Sequence, residues 1–185
     1  TKKPWLEKAA LGSVLALLAA DVLALPDAVL AALALFACAA HAWRWGLWQP
    51  WRTLSVPLVW VLHLAYLWIP VHLLLRAAGA LGWLTPSVAT HALTVGAIGG
   101  LIIGMMTRTA KGHTGRPLRA DRYETACYVF IALAALVRVG LPLAAPELTI
   151  QAMLYSAALW SAGFGLYAVR YWPILSRRRV DGRPG

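Results

Sequence analysis

Charge is scarce in this sequence. Only 13% of its 185 residues are Asp, Glu, Lys or Arg, whereas 61% are hydrophobic and the mean hydropathy is +0.66. A water-soluble domain holds roughly a quarter charged residues, so this composition excludes a soluble globular protein. Several apolar runs reach the roughly 20 residues that a helix needs to cross a hydrocarbon core. The sequence therefore predicts an all-α fold, a polytopic transmembrane helical bundle.

Cysteine and acidic residues are also few. The two cysteines, Cys38 and Cys127, lie in apolar segments without CxxC or CxxCH spacing, which argues against a covalently attached c-type haem and a cysteine-based zinc site. Of the seven acidic residues only Asp21 lies more than two residues inside a predicted span, which argues against an acidic ion relay. No nucleophile elbow, HExxH motif or paired carboxylates are present, so a hydrolase is disfavoured. Whether the protein is an enzyme is left open.

Proline, glycine and charge divide the chain into about six spans. We predict helices over residues 7–25, 27–43, 54–78, 88–107, 122–141 and 147–172, with Pro70 interrupting the third. Residues 1–175 are predicted to form a six-helix transmembrane bundle. Residues 176–185 are predicted to form a disordered, basic cytoplasmic tail.

Basic residues are distributed unequally between the two sides of this bundle. Six spans place all of the 17 lysines and arginines except Arg76 and Arg138 on the side that holds both termini. Cytoplasmic loops carry an excess of Lys and Arg, so both termini are predicted to be cytoplasmic. The net charge of +10 then reflects topology and contact with anionic lipid head groups, and no nucleic-acid partner is expected.

Glycines recur every four residues in the fourth span. Gly96, Gly100 and Gly104, with Ala92 one step earlier, form one ridge without side-chain bulk on a helix. In lipid such a ridge lets another helix, or a flat ligand, approach the backbone closely. Helix packing alone is one interpretation and a ligand site is the other. His91 borders this ridge.

Histidines and buried charges are the remaining candidates for chemistry, because polar groups at membrane depth usually mark function. His63 is expected near mid-membrane and His72 near the outer boundary, on opposite faces of one helix. His72 and Arg76, four residues apart, share a face. We expect five side chains to converge on the outer side: Asp21, His72, Arg76, His91 and Arg138.

This set suits a cofactor. Two histidines from adjacent helices, His72 and His91, are what a six-coordinate b-type haem requires, and Arg76 and Arg138 suit its propionates. The same two imidazoles are candidate metal ligands for copper, and His63 is a further candidate for haem. The alternative is that both histidines cap helix ends while Asp21 and Arg138 form a structural ion pair. His41 is interpreted as an interfacial residue and not a ligand.

One run has a specific resemblance. Residues 106–118, MTRTAKGHTGRPL, resemble the signature of the NnrS family, membrane proteins linked to the nitric oxide response and described as carrying haem and copper. Two further segments extend the resemblance: TH…G…GG…GMMTR before the run and R…ETACYVF…LAALVRV after it. It implies a bacterial inner-membrane protein of the nitrosative stress response that binds haem b and copper. It also makes His113, at the centre of the signature, a candidate haem or metal contact; the alternative is a solvated loop residue.

The resemblance has one departure. Members of that family are longer and carry an earlier HAHE-type motif, which is absent here. We therefore expect a C-terminal half or a truncated member, whose partners would be the lipid bilayer and either the missing N-terminal half or a second copy. The alternative functions are a membrane transporter and a structural subunit of a larger membrane complex without its own cofactor.

The charge asymmetry predicts an orientation. In a cysteine-free background, a cysteine placed at Thr114 is expected to be labelled from the cytoplasm and one at Pro86 from the opposite side. Membrane-impermeant maleimide applied to inside-out and right-side-out vesicles makes the measurement, and reversed labelling would contradict the orientation.

Overall fold

Six long helices make up the computed structural model, which describes residues 3–182. They are α1 (Pro4–Val22), α2 (Asp27–Leu47), α3 (Pro57–Ala80), α4 (Pro86–His113), α5 (Arg122–Ala144) and α6 (Thr149–Leu175). Within α4 the stretch Ala92–Ile98 is a wider π-helix. Short 3-10 turns lie at Pro50–Thr53 and Pro146–Leu148. No strand occurs among residues 3–182, so the predicted all-α class is confirmed.

Five of these helices, α2 to α6, are long and apolar enough to cross a membrane. The first helix, α1, has 19 residues and carries Glu7, Lys8 and Asp21, and it is not among the five. Many large apolar side chains face outward, including Leu15, Phe36 and Leu154 at 55%, 58% and 65% exposure. Such a surface is stable in lipid and not in water, which agrees with a membrane protein.

Helices that are consecutive in the chain pack side by side. α1 packs on α2, α2 on α3 and α5 on α6, while α3 lies in the middle and also contacts α4 and α5. Buried Leu58 and Val61 of α3, Ile103 of α4 and Ile131 of α5 share one core cluster. The bundle is thus organised around α3.

The glycine ridge of α4 is where α3 docks. A Cβ added to Gly96 would lie 2.3 Å from Cγ of Trp68, and one added to Gly100 would lie 2.7 Å from Cβ of Ala65. Gly104 meets Leu62 in the same way, at 2.9 Å. Between the two interpretations of the ridge, helix packing is the one that the structure supports. The neighbouring Gly99 faces the Trp160 ring of α6 instead.

The fourth helix is longer than predicted. It continues past residue 107 to His113, so Arg108, Lys111 and His113 are helical. Gly115 ends it with φ +71°, and the amide of Arg116 donates to the carbonyl of Lys111 at 2.9 Å. This is a Schellman arrangement, in which glycine accepts the left-handed backbone that follows a helix. The chain therefore turns back at Gly115, inside residues 106–118.

Three prolines lie inside helices that continue through them. α3 runs past Pro70, α5 past Pro142 to Ala144 and α6 past Pro173 to Leu175, so the expected interruption of α3 at Pro70 is wrong. Neighbouring helices supply the packing that tolerates proline within a transmembrane helix.

The chain after α6 folds back onto the turn between α4 and α5. Arg179 donates to the carbonyl of His113 at 2.9 Å, and the amide of Val180 donates to the carbonyl of Thr114 at 3.2 Å. Asp181 lies over Gly115, where a Cβ would come within 2.7 Å of its carboxyl carbon. Residues 176–182 therefore pack on the turn, against the prediction of a disordered tail, and the rest of the predicted tail lies outside the described residues.

Burial at this turn affects the choice of position for cysteine labelling. Since Thr114 is only 7% exposed, Leu118, at 47%, is the better position for the cysteine expected to be labelled from the cytoplasm.

Packing at the ridge predicts the effect of a bulky side chain. Gly100→Leu is expected to destabilise the bundle by about 1–3 kcal/mol, because α3 must move away from α4. Gly165→Leu is the matched control, since a Cβ at Gly165 meets nothing within 4 Å. Thermal melting in detergent makes the comparison. Equal melting temperatures for the two variants would show that the ridge does not carry the α3–α4 contact.

Candidate functional site

An ion pair joins α1 to α3 near the C-terminal end of each helix. The Arg76 guanidinium donates to both carboxylate oxygens of Asp21. The carboxylate that sequence analysis paired with Arg138 as an alternative thus belongs to Arg76. Both contacts come from one nitrogen, Nη2, and this charge-assisted pair lies one helical turn from His72.

His72 is held by the first turn of α4. Its Nδ1 lies 2.7 Å from the carbonyl oxygen of Ala89, and a carbonyl only accepts, so Nδ1 carries the proton. Nε2 of the neutral ring then has a free lone pair, and it makes no hydrogen bond within the described chain. His72 lines a cavity of about 340 Å³ with eight other residues: Asp27, Leu30, Arg76, Gly79, Ala80, Pro86, Ala89 and Thr90.

His91 is held in the same tautomer, by a different contact. Its Nδ1 lies 2.6 Å from the carbonyl oxygen of Ser87, one turn earlier in α4. Its Nε2 accepts from Nη2 of Arg138 at 2.7 Å. His91 and Arg138 line a second, larger groove of about 460 Å³ between α4, α5 and α6. Both ring nitrogens of His91 therefore have partners within the chain.

The five side chains expected to converge form two separate groups. Asp21, His72 and Arg76 meet where α1, α3 and the start of α4 approach, and His91 and Arg138 meet across α4 and α5. Ala89, which holds His72, and His91 are two positions apart, about 200° around a helix. The two histidines consequently line different cavities on different faces of α4.

The other candidate histidines lie elsewhere. His63 has a buried Nδ1 without a hydrogen-bond partner among residues 3–182, and its ring lies 5.9 Å from that of Trp48. His113 is exposed at the C-terminal end of α4. Neither approaches the cavity at His72. For His63 and His113, binding of haem or metal stays a prediction.

His41 is structural. It is 8% exposed, its Nε2 donates to the carbonyl of Ala10 at 3.2 Å, and its Nδ1 accepts from the hydroxyl of Tyr66 at 2.6 Å. Arg44 donates to the same hydroxyl and forms an ion pair with Glu7 at 2.6 Å. With both nitrogens used, His41 has no lone pair for a metal. Sequence analysis placed His41 at the interface, whereas it lies inside a network that joins α1, α2 and α3.

A comparison with protein families identifies the chain. The model of the NnrS family, described as NnrS protein, matches residues 1–179. The chain belongs to the NnrS family. No curated protein and no solved structure matches it.

A buried ion pair that sequence analysis missed ties the signature of this NnrS protein to the bundle. Nζ of Lys111 lies 2.8 Å from Oε1 of Glu124, and these side chains are only 11% and 2% exposed. The hydroxyl of Tyr171 donates to the same oxygen at 2.6 Å. Asp121 and Glu124 also form a capping box at the start of α5. The D-x-x-E spacing is the sequence signal from which this position could have been found.

Asp121, just before α5, is held in its charged form. Burial acts to raise its pKa, but the backbone amides of Glu124 and Tyr123 and the guanidinium of Arg170 outweigh burial and lower the pKa. The stabilisation that these contacts supply is present above the ordinary pKa of an aspartate. It is lost as the pH falls through the lowered value.

Grouped metal ligands are absent from the part of the NnrS chain that the structure describes. No cluster of three or more His, Cys, Asp or Glu side chains forms among residues 3–182. The donors that remain are single imidazoles, of which His72 is the one with a fixed tautomer and a free Nε2.

Removing one partner of the buried pair should be costly. Glu124→Ala leaves Lys111 buried without a counter-charge and is expected to lower the free energy of unfolding by about 3–5 kcal/mol. Arg170→Ala removes the partner of the exposed Asp121 and is expected to cost about 0–1 kcal/mol. Urea or thermal unfolding in detergent compares the two variants, and similar losses would contradict the structural role of the pair.

Proposed function

We propose that this NnrS protein is a multi-pass protein of the bacterial cytoplasmic membrane that acts in the response to nitric oxide and nitrosative stress by binding a b-type haem. Family membership supports the physiological role. The single observation that supports haem is the orientation of His72. Metal-ligating histidines almost always donate their second ring N–H to a carbonyl or carboxylate, and Nδ1 of His72 does so to Ala89.

Fit to a six-coordinate haem is poor within one chain. His72 and His91 line separate cavities, and Nε2 of His91 already accepts from Arg138. One iron between the two rings would require α4 to rotate. A haem with one axial histidine fits better, because His72 faces a cavity that also contains Arg76.

Each residue at that cavity has a defined task. Ala89 holds His72 in the tautomer whose Nε2 ligates iron, and Asp21 orients Arg76, whose remaining N–H groups suit a propionate. A haem held by His72 would supply an iron able to bind a diatomic gas. Leu30, Ala80 and Pro86 form an apolar part of the cavity wall.

Copper is supported less well by this chain. Imidazole nitrogen suits copper, but no three candidate ligand side chains meet among the described residues. A copper ion at His72 or His91 would need donors from another chain, either a second copy or a segment outside this sequence.

Two alternatives have weaker support. A transporter built on broken helices would need α3 to break at Pro70, but α3 is continuous through that residue. A structural subunit without a cofactor is tested by the same absorbance measurement that tests haem binding.

Absorbance spectroscopy of the protein purified from haem-replete cells tests the proposal. A Soret band is expected for the parent, and His72→Ala is expected to abolish it because the axial ligand is lost. His91→Ala and His63→Ala are expected to retain it. His113→Ala is the matched control, since that ring is exposed at the opposite end of α4.

Three outcomes would contradict the site. Loss of the band in both His72→Ala and His91→Ala would indicate ligation by two histidines after rearrangement. Loss in His63→Ala alone would place the haem at mid-membrane. A parent without a Soret band would favour the structural subunit.

A further inference from the structure

Arg138 is a cation within a membrane-spanning helix that has no carboxylate partner. Four other basic residues of the helices, Arg44, Arg76, Lys111 and Arg170, each form an ion pair with an acidic side chain. Among residues 3–182, the only hydrogen-bond partner of Arg138 is the neutral ring of His91. A guanidinium has five N–H donors, and the neutral ring occupies one of them without balancing the charge.

The groove beside Arg138 is apolar and open to the side. Val95, Ile98 and Ile102 of α4 face Met153, Ala157 and Trp160 of α6 across it. Ile98, Ile102 and Met153 are 45%, 43% and 49% exposed, so the groove opens onto the lipid-facing surface. One wall includes the π-helical stretch Ala92–Ile98, and π-bulges are frequent at functional sites.

The depth of Arg138 suits a lipid head group. It lies six residues before the end of α5 at Ala144, or about 9 Å along the helix. An arginine near a helix end extends its guanidinium toward the interface. From His91 the groove follows α4 to Ile102, roughly 16 Å at the rise of a helix, which accommodates much of an acyl chain.

We propose that this groove binds one anionic phospholipid, with its phosphate on Arg138 and an acyl chain between α4 and α6. The positive charge of Arg138 favours a lipid with an anionic head group over a neutral amphiphile. A phosphate supplies the counter-ion that the fold itself lacks at Arg138, whereas a neutral amphiphile such as a quinone would leave the guanidinium unbalanced in an apolar setting. His91 acts as a positioning residue, because its Nε2 holds one arm of the guanidinium at 2.7 Å.

The site is separate from the proposed haem site. His72 and Arg76 line the other cavity, so loss of the lipid leaves the haem ligand in place. A variant of Arg138 is therefore expected to keep the Soret band, and a variant of His72 is expected to keep the lipid.

Native mass spectrometry of delipidated protein in detergent tests the proposal, by titration with phosphatidylglycerol and, separately, phosphatidylcholine. The parent is expected to prefer phosphatidylglycerol by on the order of five- to tenfold. Arg138→Gln should abolish that preference, and Arg138→Lys should retain most of it. Arg108→Gln is the matched control, because Arg108 is an exposed arginine of a spanning helix that forms no ion pair within the described residues.

A second pair of variants tests the groove without touching charge. Ala157→Leu places a side chain inside the groove and should weaken binding of both lipids. Ala158→Leu, on the same helix and exposed outside the groove, should not.

Several results would overturn the assignment. One is an unchanged preference in Arg138→Gln, and another is an equal loss in Arg108→Gln, which would indicate general surface charge. Loss of the Soret band in Arg138→Gln would show that the anion bound there is a haem propionate. Equal binding by Ala157→Leu and Ala158→Leu would show that the groove holds no acyl chain.

Discussion

The close approach of α3 to the backbone of α4 is the contact on which the rest of the bundle depends. Gly96, Gly100 and Gly104 leave room for Trp68, Ala65 and Leu62, and in lipid such van der Waals packing replaces the hydrophobic driving force. The short distance lets His72 reach the carbonyl of Ala89. It also turns the opposite face of α4, with His91, toward α5 and α6.

Many polar side chains of this bundle have partners on neighbouring helices. Glu7, Arg44, His41 and Tyr66 join α1, α2 and α3, and Lys111, Glu124 and Tyr171 join α4, α5 and α6. Unpaired charge at such depth is costly, so each network restrains the helices that it connects. Arg138 lines an apolar groove, and its one hydrogen-bond partner among residues 3–182 is the neutral ring of His91; we attribute this arrangement to a bound anionic lipid.

His72 and His91 illustrate how one helix can prepare two sites. Carbonyls of the first turn of α4 hold both rings with the proton on Nδ1, so both present Nε2. Arg138 occupies that nitrogen in His91 and leaves it free in His72. The difference supports His72 as a ligand in the proposed haem site of this NnrS protein and His91 as a support for Arg138.

The sequence by itself determined the properties that depend on composition and spacing along one helix. These are the all-α class, the number of helices, the unequal distribution of basic residues and the glycine ridge. Helix ends were less predictable. Lys111 lies in the part of α4 that extends beyond the predicted end, and its partner Glu124 is thirteen positions away in the chain.

Only the tertiary structure decided that Asp21 pairs with Arg76, that His72 and His91 face different cavities and that the chain after α6 packs on the turn. The physical reason is that spacing sets the angle between residues on one helix, whereas the rotation of each helix against its neighbours is set by packing at contacts such as Gly100 with Ala65.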